Sequence, residues 1–516
     1  MKKTLLLFLM LCNWVALFSQ EKIKNPTYKQ TQKGYFSVDY LSVKMPNDFS
    51  GNPEINMGLS GIHYNLWLSN SFYGGLGFYG SVLGERGGLF TLGLNLGYKK
   101  NLTDQLFIDT GFHFGGGGGD GAPDGGGAFI LPHFNFGYQF KNITAFAGYS
   151  AINFFDKGNI NSQQVHVGIQ IPVSLHHVSF QSKELRYTPD ELKSTDWNQI
   201  SNRISLFFHL NNLSPYGASK FTNGSSLKGN TIRLAGFEIS AALPNNWFAF
   251  LKLDGAYDGI KAGYMDIFLG GGHHFSFNNN NTNILTKFSV GAGGGGGVET
   301  EGGFLIHPDI SIEQRLFNSV YISVNKGYLL SPNANFKAAT FGIGLKYNVN
   351  KDGILDKNNQ RYRALKFKGV QFSLSQEVYF DAQRGSNPSQ HVHQISLQAN
   401  LFLNNYVYVA GQTSFANFGN AGAYAEGIVG IGLYSKTLLN DNVNFFAQLL
   451  AGAAGGGDIS TGEGLIVKPS IGFNYNLNDA LSIRTSVGKV NAKEGKLNST
   501  SVAFGLSYNI SFLTAN

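Results

Sequence analysis

Cysteine and charged residues are scarce in this chain of 516 residues. Its only cysteine is Cys12, and Asp, Glu, Lys and Arg together make up 14 % of the residues, where about 25 % is usual. Without a second cysteine the chain can form no internal disulfide and no cysteine metal site. A soluble surface ordinarily carries more charge than this, so the composition raises the question of which solvent the protein faces.

Long apolar runs and basic clusters are also missing. Beyond the first 20 residues no stretch of 18 or more consecutive apolar residues occurs, which excludes a transmembrane helix there. The formal net charge of +7 is spread without a basic run, so nucleic acid is not an expected partner. Residues 1–20 combine Lys2, Lys3 and an apolar stretch ending at Phe18. They predict a secretory signal peptide, cleaved near Gln20, whose removal leaves a cysteine-free chain.

Strict alternation of apolar and polar residues recurs along the remaining chain. It is clearest in Phe90–Tyr98, Phe341–Tyr347, Ile471–Leu477 and Val502–Phe512. A period of two predicts β-strands. One face is large and apolar, while the other carries Gly, Ser, Asn and Gln with few charges. Segments of about ten residues with this pattern are typical of a transmembrane β-barrel; a secreted all-β sandwich or solenoid is the alternative.

Glycine is abundant, with 67 residues, and one glycine-rich marker occurs three times. It consists of a Gly run, an acid, more Gly and a Pro in the next strand. The intervals from the last Gly of the run to the Pro are 13, 11 and 12 residues, which predicts an internal repeat. The three copies comprise Gly115–Gly119 with Asp120 and Pro132, Gly293–Gly297 with Glu299 and Pro308, and Gly455–Gly457 with Asp458 and Pro469.

Placing strands around this marker gives eight per copy. We expect short turns after the second, fourth and sixth strands of each copy and longer loops after the odd strands. An exported chain starts in the periplasm, which puts the short turns there and the longer loops outside. The predicted organisation is a repeat at 34–173, a linker at 181–202, a repeat at 203–349, a linker at 350–368 and a repeat at 369–512.

The last strand of each copy shares a pattern of Gly followed by spaced apolar residues. The motifs are Gly168-x-x-Ile171-x-Val173, Gly344-x-x-Tyr347-x-Val349 and Gly505-x-x-Tyr508-x-Ile510. They resemble the C-terminal assembly signal of bacterial outer-membrane proteins, and the unit resembles the eight-stranded outer-membrane β-barrel family, with a Bacteroidetes-type glycine-rich sequence. The resemblance implies an outer-membrane location and recognition by the barrel-assembly machinery. The chain departs from it by ending in Leu-Thr-Ala-Asn rather than in an aromatic residue.

Twenty-four strands can close as three barrels of eight or as one barrel of 24. Three small barrels fill their interiors with side chains, whereas one large barrel has a wide lumen. The predicted inward face of the third copy carries two acids and two bases, Glu377, Glu426, Lys468 and Arg484. Balanced charges suit a closed polar core, so three up-and-down antiparallel barrels are the favoured fold. The linkers then bridge neighbouring barrels; in a single large barrel they could fold inward as a plug.

Candidate catalytic residues are few. His113 and His133, with Asp109 nearby, could form a base and its orienting partner for a serine nucleophile. The third-copy and second-copy positions equivalent to His133 are Ser470 and Asp309, so the favoured interpretation is hydrogen-bonded histidine inside a polar barrel. The chain is therefore expected to be no enzyme and to have no catalytic residues, cofactor or metal site.

The glycine-rich hairpins are the remaining candidate sites. Glycine there favours close packing of one backbone, or of another barrel's strand, against it. The alternative is weak binding of cations, including lipopolysaccharide-bound Ca²⁺, by carboxylates of the external loops. The carboxylates in question are Asp120, Asp124, Glu299, Glu301, Asp458 and Glu463.

The function expected from the sequence is that of a non-enzymatic integral outer-membrane β-barrel protein, either structural or partner-binding. A passive channel formed by one 24-stranded barrel and an outer-membrane lipid-modifying enzyme are the alternatives. The expected partners are outer-membrane lipids and lipopolysaccharide, the barrel-assembly machinery and other envelope proteins.

Overall fold

The computed structural model describes residues 27–47, 51–438 and 442–515. The predicted signal peptide, its cleavage near Gln20 and Cys12 lie outside these residues. The described chain is antiparallel β-structure with two 3₁₀ turns. None of the helices in this part of the chain is long and apolar enough to cross a membrane.

The first eight strands form one closed barrel, called barrel 1. They are β1 (Gln30–Val43), β2 (Met57–Trp67), β3 (Phe72–Leu83), β4 (Phe90–Asn101), β5 (Leu106–Gly118), β6 (Phe129–Gln139), β7 (Thr144–Phe154) and β8 (Asn161–Ser179). Each strand pairs antiparallel with the next. β1 also pairs with β8, from Gln30↔His177 to Leu41↔His166, and this pairing closes the barrel.

Barrel 2 follows a two-residue strand, β9 (Arg186–Tyr187). Its strands are β10 (Asn202–Pro215), β11 (Ile232–Ala242), β12 (Trp247–Asp258), β13 (Met265–Phe277), β14 (Thr282–Gly294), β15 (Phe304–Phe317), β16 (Val320–Leu330) and β17 (Lys337–Lys351). Successive strands again pair antiparallel. Pairing of β10 with β17, from Asn202↔Lys351 to Pro215↔Ala338, closes barrel 2.

Barrel 3 completes the chain. Its strands are β18 (Leu365–Ala382), β19 (Gln390–Phe402), β20 (Val407–Phe418), β21 (Ala425–Tyr434), β22 (Val443–Gly455), β23 (Leu465–Asn476), β24 (Leu481–Ala492) and β25 (Asn498–Ala515). They pair in sequence, and β18 closes on β25 from Leu365↔Ala515 to Tyr379↔Ser501. The predicted all-β antiparallel barrel class is confirmed, and eight strands close three times. In the described residues β8 pairs with β1 and β17 pairs with β10, so the 24 strands do not form one continuous barrel wall.

Barrels 1 and 2 have a rim of short turns and a rim of longer loops, as expected. Barrel 3 departs from this pattern, because the connection after its fourth strand, residues 435–442, has eight residues and is longer than three of the four loops on its opposite rim. In barrel 1 the turns after β2, β4 and β6 each have four residues, whereas the loops after the odd strands have six to thirteen. We call these ends the turn rim and the loop rim. The linkers and the end of the last strand lie at the turn rim, since β8, β10, β17, β18 and β25 all meet there.

Several strands extend past the ends of the predicted repeats. The last residues of β25 stay paired with β18 but extend past β24. On the side that β24 leaves free, Ile510 pairs with Ser179 of β8 and Ala515 pairs with Asn350 of β17. This pairing supplies backbone hydrogen bonds that no barrel wall provides, and it accounts for the longer strands. Through it, the C-terminal strand joins all three barrels at the turn rim.

The two linkers fold together into a small apolar core at the turn rim. Trp197 and Phe367 are fully buried and their rings lie 5.7 Å apart. The core is formed by Val178, Leu192, Trp197, Ile354, Leu365, Phe367, Leu513 and Ala515. These residues come from both linkers and from barrels 1 and 3, so the linkers pack against both barrels. Residues 189–192 form turns.

Candidate functional site: the interlocked glycine hairpins

The three glycine-rich segments lie at equivalent places on the loop rim. Each joins the fifth strand of its barrel to the sixth, and we call these segments the glycine hairpins. A second loop, joining the third strand to the fourth, is called the receiving loop. In barrels 1, 2 and 3 the glycine hairpins are residues 115–127, 293–303 and 455–464, and the receiving loops are residues 84–89, 259–264 and 419–424.

The glycine hairpin of each barrel packs against the receiving loop of another barrel, with backbone meeting backbone. A Cβ atom on Gly422 would lie 2.7 Å from the nitrogen of Gly127, and one on Gly88 would lie 2.6 Å from the carbonyl carbon of Gly294. A Cβ atom on Gly455 would lie 2.7 Å from the carbonyl carbon of Ala262. Only glycine allows this approach, and the packing interpretation of the glycine runs is confirmed.

These contacts follow a cyclic order. β5 of barrel 1 lies against β20 of barrel 3, β22 of barrel 3 against β12 of barrel 2, and β14 of barrel 2 against β3 of barrel 1. In every case the fifth strand of one barrel meets the third strand of the next. Such head-to-tail contacts close into a ring when the rotation permits, and here three barrels of one chain complete it.

Apolar side chains from all three barrels fill the centre of the ring. The rings of Phe78 in barrel 1 and Phe415 in barrel 3 lie 6.3 Å apart. The buried members of this central core are Phe90, Leu92, Ile267, Ala292, Ile395 and Phe415. They point away from the interiors of their own barrels, so the barrels share a second core outside their walls.

Hydrogen bonds across the loop rim join every pair of barrels. Ser81 Oγ of barrel 1 donates to the carbonyl of Gly302 in barrel 2 at 3.0 Å. The amide of Gly259 in barrel 2 donates to Glu463 Oε2 of barrel 3 at 2.8 Å. Between barrels 3 and 1, the amide of Gly419 donates to a carboxylate oxygen of Asp156 at 2.6 Å. Glu463 is one of the predicted site residues, whereas Asp156 gave no signal in the sequence.

Asp120 and Asp124 lie in the glycine hairpin of barrel 1. Asp124 is buried, and its Oδ2 accepts the amide of Gly119 at 2.9 Å. Burial raises the pKa of Asp124 to about 7. Burial also raises the pKa of Asp120 to about 6, against the opposing effect of the Arg86 guanidinium. Arg86 donates to the carbonyl of Asp120 at 2.9 Å and pairs with Glu54.

The other predicted acids occupy different surroundings. Glu299 Oε1 accepts the amide of Glu301 at 3.0 Å, which is a contact within the hairpin of barrel 2. Asp458 accepts the backbone amides of Ser386 and Asn387 from a neighbouring loop of barrel 3. These hydrogen bonds to the carboxylate lower the pKa of Asp458 against the opposing effect of its desolvation, which is the largest single influence.

The six predicted acids are therefore spread around the rim rather than gathered at one point. Glu463 and Asp124 each accept a backbone amide at a barrel junction, and Asp458 accepts amides within barrel 3. In the residues that the structure describes, no three His, Cys, Asp or Glu side chains are arranged to hold a metal ion. Four of the six carboxylates accept backbone amides, namely those of Asp124, Glu299, Asp458 and Glu463.

The interior of barrel 3 contains the charge cluster expected from its sequence. Lys468 Nζ lies 2.9 Å from Glu377 Oε2 and 2.9 Å from Glu426 Oε1, and it also contacts the hydroxyl of Tyr379 at 3.0 Å. All of these residues are buried. A buried lysine between two carboxylates satisfies charges that would otherwise be costly in a closed interior, so the prediction of a balanced polar core is confirmed.

In barrel 1, histidine and aspartate side chains occupy the interior, where barrel 3 has its charge cluster. His113 contacts Asn95 Oδ1 at 2.5 Å. His133 lies 3.7 Å from Asp109, and the hydroxyl of Tyr73 bonds to both. His133 thus lies beside Asp109 and Tyr73. His113, on β5, contacts the side-chain amide of Asn95 on β4. This arrangement matches the predicted hydrogen-bonded histidines of a polar interior.

The outward faces of the barrels carry large apolar side chains in solvent-exposed positions. Phe136 of barrel 1 is 58 % exposed, Ile312 of barrel 2 is 57 % exposed and Ile431 of barrel 3 is 62 % exposed. Further examples are Phe134, Tyr149, Val165, Ile169, Ile310, Phe341, Leu345, Leu449, Ile471 and Phe504. Contiguous apolar surface of this extent marks contact with a membrane or with other proteins.

No family model and no curated protein matches the chain. Among solved structures it is similar to OpdQ of Pseudomonas aeruginosa, with 8 % identity, a TM-score of 0.22 and coverage of 93 % of this chain and 98 % of that chain. OccK5 (OpdH) of the same organism has 10 % identity, a TM-score of 0.22 and the same coverages. Its siderophore receptor PirA has 8 % identity and a TM-score of 0.25, covering 94 % and 81 %. The barrel assignment above rests on the strand pairing of this chain.

Proposed function

We propose that this chain is a non-enzymatic integral outer-membrane protein whose three sealed barrels form one rigid structural or partner-binding unit of the envelope. The observation that carries the proposal is the combination of an apolar outer face, packed polar interiors and a closed ring of interlocked loops. The first supports a location in lipid, the second supports sealed interiors and the third supports a fixed arrangement of the barrels.

The membrane location is supported by the solvent preference of the two faces. Outward positions are apolar and inward positions are polar, which is the reverse of a soluble barrel with a dry core and is typical of transmembrane β-barrels. Leaving the outward residues in water would cost about 25 cal/mol for each Å² of apolar surface. We propose that the loop rim faces the exterior, that the turn rim and linker core face the periplasm, and that a leader cleaved near Gln20 directs export.

A sealed rather than conducting role is supported by the packed interiors. Eight-stranded barrels have room for little beyond their own side chains, and barrel 3 places Lys468, Glu377 and Glu426 across its lumen in direct contact. Barrel 1 fills the same space with His113, Asn95 and their neighbours.

A non-enzymatic role is supported by the differences between equivalent interior positions. The residues that precede the sixth-strand prolines are Leu131, His307 and Lys468. They pair with His113, Ser289 and Leu450 on the fifth strands. The three barrels have apolar, neutral polar and charged side chains at these equivalent positions. This variation supports a role for the interior side chains in stabilising each barrel rather than in a reaction common to all three. The shared hairpins support descent from one repeated unit of the eight-stranded, Bacteroidetes-type outer-membrane family.

Planar-bilayer recording of the purified full chain tests the sealed-barrel proposal. We expect no conductance steps of the size of an open large barrel, and steps of several nanosiemens would overturn the proposal. Fractionation and heat-modifiable gel mobility test the location, since a folded outer-membrane barrel should stay in the outer-membrane fraction and migrate faster before boiling. N-terminal sequencing of the exported protein should begin near Glu21. A soluble periplasmic protein would contradict the membrane assignment.

A further inference from the structure

The outward face of barrel 3 has a groove that lies outside the polar interior of the barrel and outside the junctions between barrels. It crosses β20 to β24 and has a volume of about 650 Å³, within the range of about 300 to 1,000 Å³ that is common for ligand-binding clefts. Its walls are aliphatic, formed by Ile431, Leu433, Leu449, Ile471 and Val487. Each of these side chains is at least 47 % exposed.

Small and compact residues lie among the larger side chains of the groove. Ala447 and Pro469 lie between the larger wall residues, and Gly432 and Gly488 contribute backbone to the floor. Ala447 is flanked along β22 by Phe445 and Leu449, which also point outward. The outer surface is therefore lower at these small residues than at the aliphatic side chains beside them. A flexible hydrocarbon chain has the shape and polarity to fill the groove.

One lysine lines the groove at the end nearer the loop rim. Lys489 lies three residues before the end of β24, on the exposed outward face. Within the described residues it has no hydrogen-bond or ion-pair partner. An unpaired cation on a membrane-facing strand is costly at the bilayer centre and tolerated near the interface. At the level of the lipid headgroups an anionic group can pair with its ammonium group.

We propose that this groove binds an acyl chain of a phosphorylated glycolipid of the outer leaflet, with Lys489 contacting its phosphate. The inference rests on the proposed outer-membrane location and orientation, because both are needed to put Lys489 at the outer interface. The aliphatic walls take up the hydrocarbon, and the ammonium group pairs with the phosphate in an environment poorer in water than bulk solvent. Barrel 3 thus carries a specific lipid site in addition to its general contact with the membrane.

Native mass spectrometry of the full chain in detergent tests this site, with purified lipid A, its dephosphorylated form and phosphatidylethanolamine as probes. We expect lipid A to be retained preferentially. Lys489→Gln should weaken its binding about fivefold, the effect of one lysine at a charged membrane surface, and should reduce the preference over the dephosphorylated form. Equal retention of the two lipid A forms by the wild type, or unchanged binding by Lys489→Gln, would overturn the proposal.

Two matched controls separate the groove from nonspecific charge and apolar surface. Lys326→Gln removes an exposed outward lysine of barrel 2, and it should leave lipid A binding unchanged. Ala447→Phe fills the floor of the groove and should reduce binding of both lipid A forms, whereas Ala147→Phe on the outward face of barrel 1 should not. Heat-modifiable mobility establishes folding of each variant. Equal losses in each variant and its control would show general lipid contact only and contradict the site, while outer-membrane fractionation separately decides the location.

Discussion

The backbone amide of Gly419 in barrel 3 donates a 2.6 Å hydrogen bond to the carboxylate of Asp156 in barrel 1. Beside it, Lys157 Nζ donates to the side-chain oxygen of Asn420 at 3.0 Å. The first contact gives an otherwise unpaired backbone amide a charged acceptor from a different barrel. It lies where the glycine hairpin of barrel 1 meets the receiving loop of barrel 3, so it ties the two barrels at the rim.

Replacing Asp156 with alanine should loosen this junction. The amide of Gly419 then loses a charged acceptor, a change worth about 1–3 kcal/mol when the donor is left unsatisfied. Hydrogen exchange measured by mass spectrometry should show faster exchange in residues 419–424, with the strands of both barrels unchanged. Lys157→Ala is the control, since loss of its exposed contact should have an effect within about 0.5 kcal/mol. Unchanged exchange in Asp156→Ala would contradict the role given to this contact.

The barrel fold could be predicted from the sequence because its signal is local. Alternation with a period of two specifies strands and their faces. The third repeat, predicted to start at residue 369, begins with β18 at Leu365. The pairing of Lys468 with Glu377 and Glu426 was predictable as a balance of inward charges. Balance between residues on one barrel's inner face depends only on the alternation that places them there.

The order of the three barrels around the ring could not be predicted in the same way. Repeated glycine runs indicate close approach, but they do not say which backbone approaches. The partner of Gly127 is Gly422, which lies 295 positions away in the chain, and nothing in either local sequence encodes that pairing. Asp156 was missed for the same reason, because a single acid in a loop resembles any solvent-exposed acid until its partner barrel is in place.

Gly422 tests the close packing of the hairpins directly. A Cβ atom there would lie 2.7 Å from the nitrogen of Gly127 and 2.8 Å from the oxygen of Gly125. Since both contacts are to backbone, Gly422→Ala must push barrels 1 and 3 apart at the rim. We expect a loss of about 1–3 kcal/mol, the usual cost of overpacking, seen as a lower temperature for the heat-induced gel shift.

Gly427→Ala provides the matched control in the same barrel. Gly427 lies on β21, and a Cβ atom there would meet nothing within 4 Å. This variant should keep the wild-type transition temperature or raise it slightly, since alanine restricts the unfolded chain. Equal behaviour of the two variants would show that the hairpins are not tightly interlocked.

The buried cluster of barrel 3 predicts that removal of a single charge strongly lowers the stability of the barrel. Lys468→Met leaves Glu377 and Glu426 as uncompensated buried acids, and breaking such a cluster costs about 3–5 kcal/mol. Unfolding in urea, followed by gel mobility and by the fluorescence of Trp197, which packs against Phe367 of β18, should report this loss. Adding Glu377→Gln and Glu426→Gln to Lys468→Met should restore much of the stability, because all three buried charges are then gone. Lys493→Met, in an exposed loop, is the control. If the triple variant is no more stable than Lys468→Met, charge pairing is not what the cluster supplies.

Asp124 predicts how stability at the rim depends on pH. Burial raises the pKa of its carboxyl to about 7 in the folded protein, from an ordinary value of 3.8. Between these values the folded chain keeps a proton that the unfolded chain has released. Stability is therefore greatest in acid and falls as the pH rises through about 7. Asp124→Asn keeps an oxygen that accepts the amide of Gly119 but cannot ionise.

Thermal unfolding between pH 5 and pH 8 should separate the two proteins. We expect the wild type to lose stability as the pH rises and Asp124→Asn to lose less, with the two curves converging in acid. The remaining slope should fall further when Asp120→Asn is added, because burial raises the pKa of Asp120 to about 6. Glu301→Gln changes an exposed acid of the equivalent hairpin and should retain the wild-type slope. A slope in Asp124→Asn equal to that of the wild type would mean that this carboxyl is not buried at the junction between barrels 1 and 3.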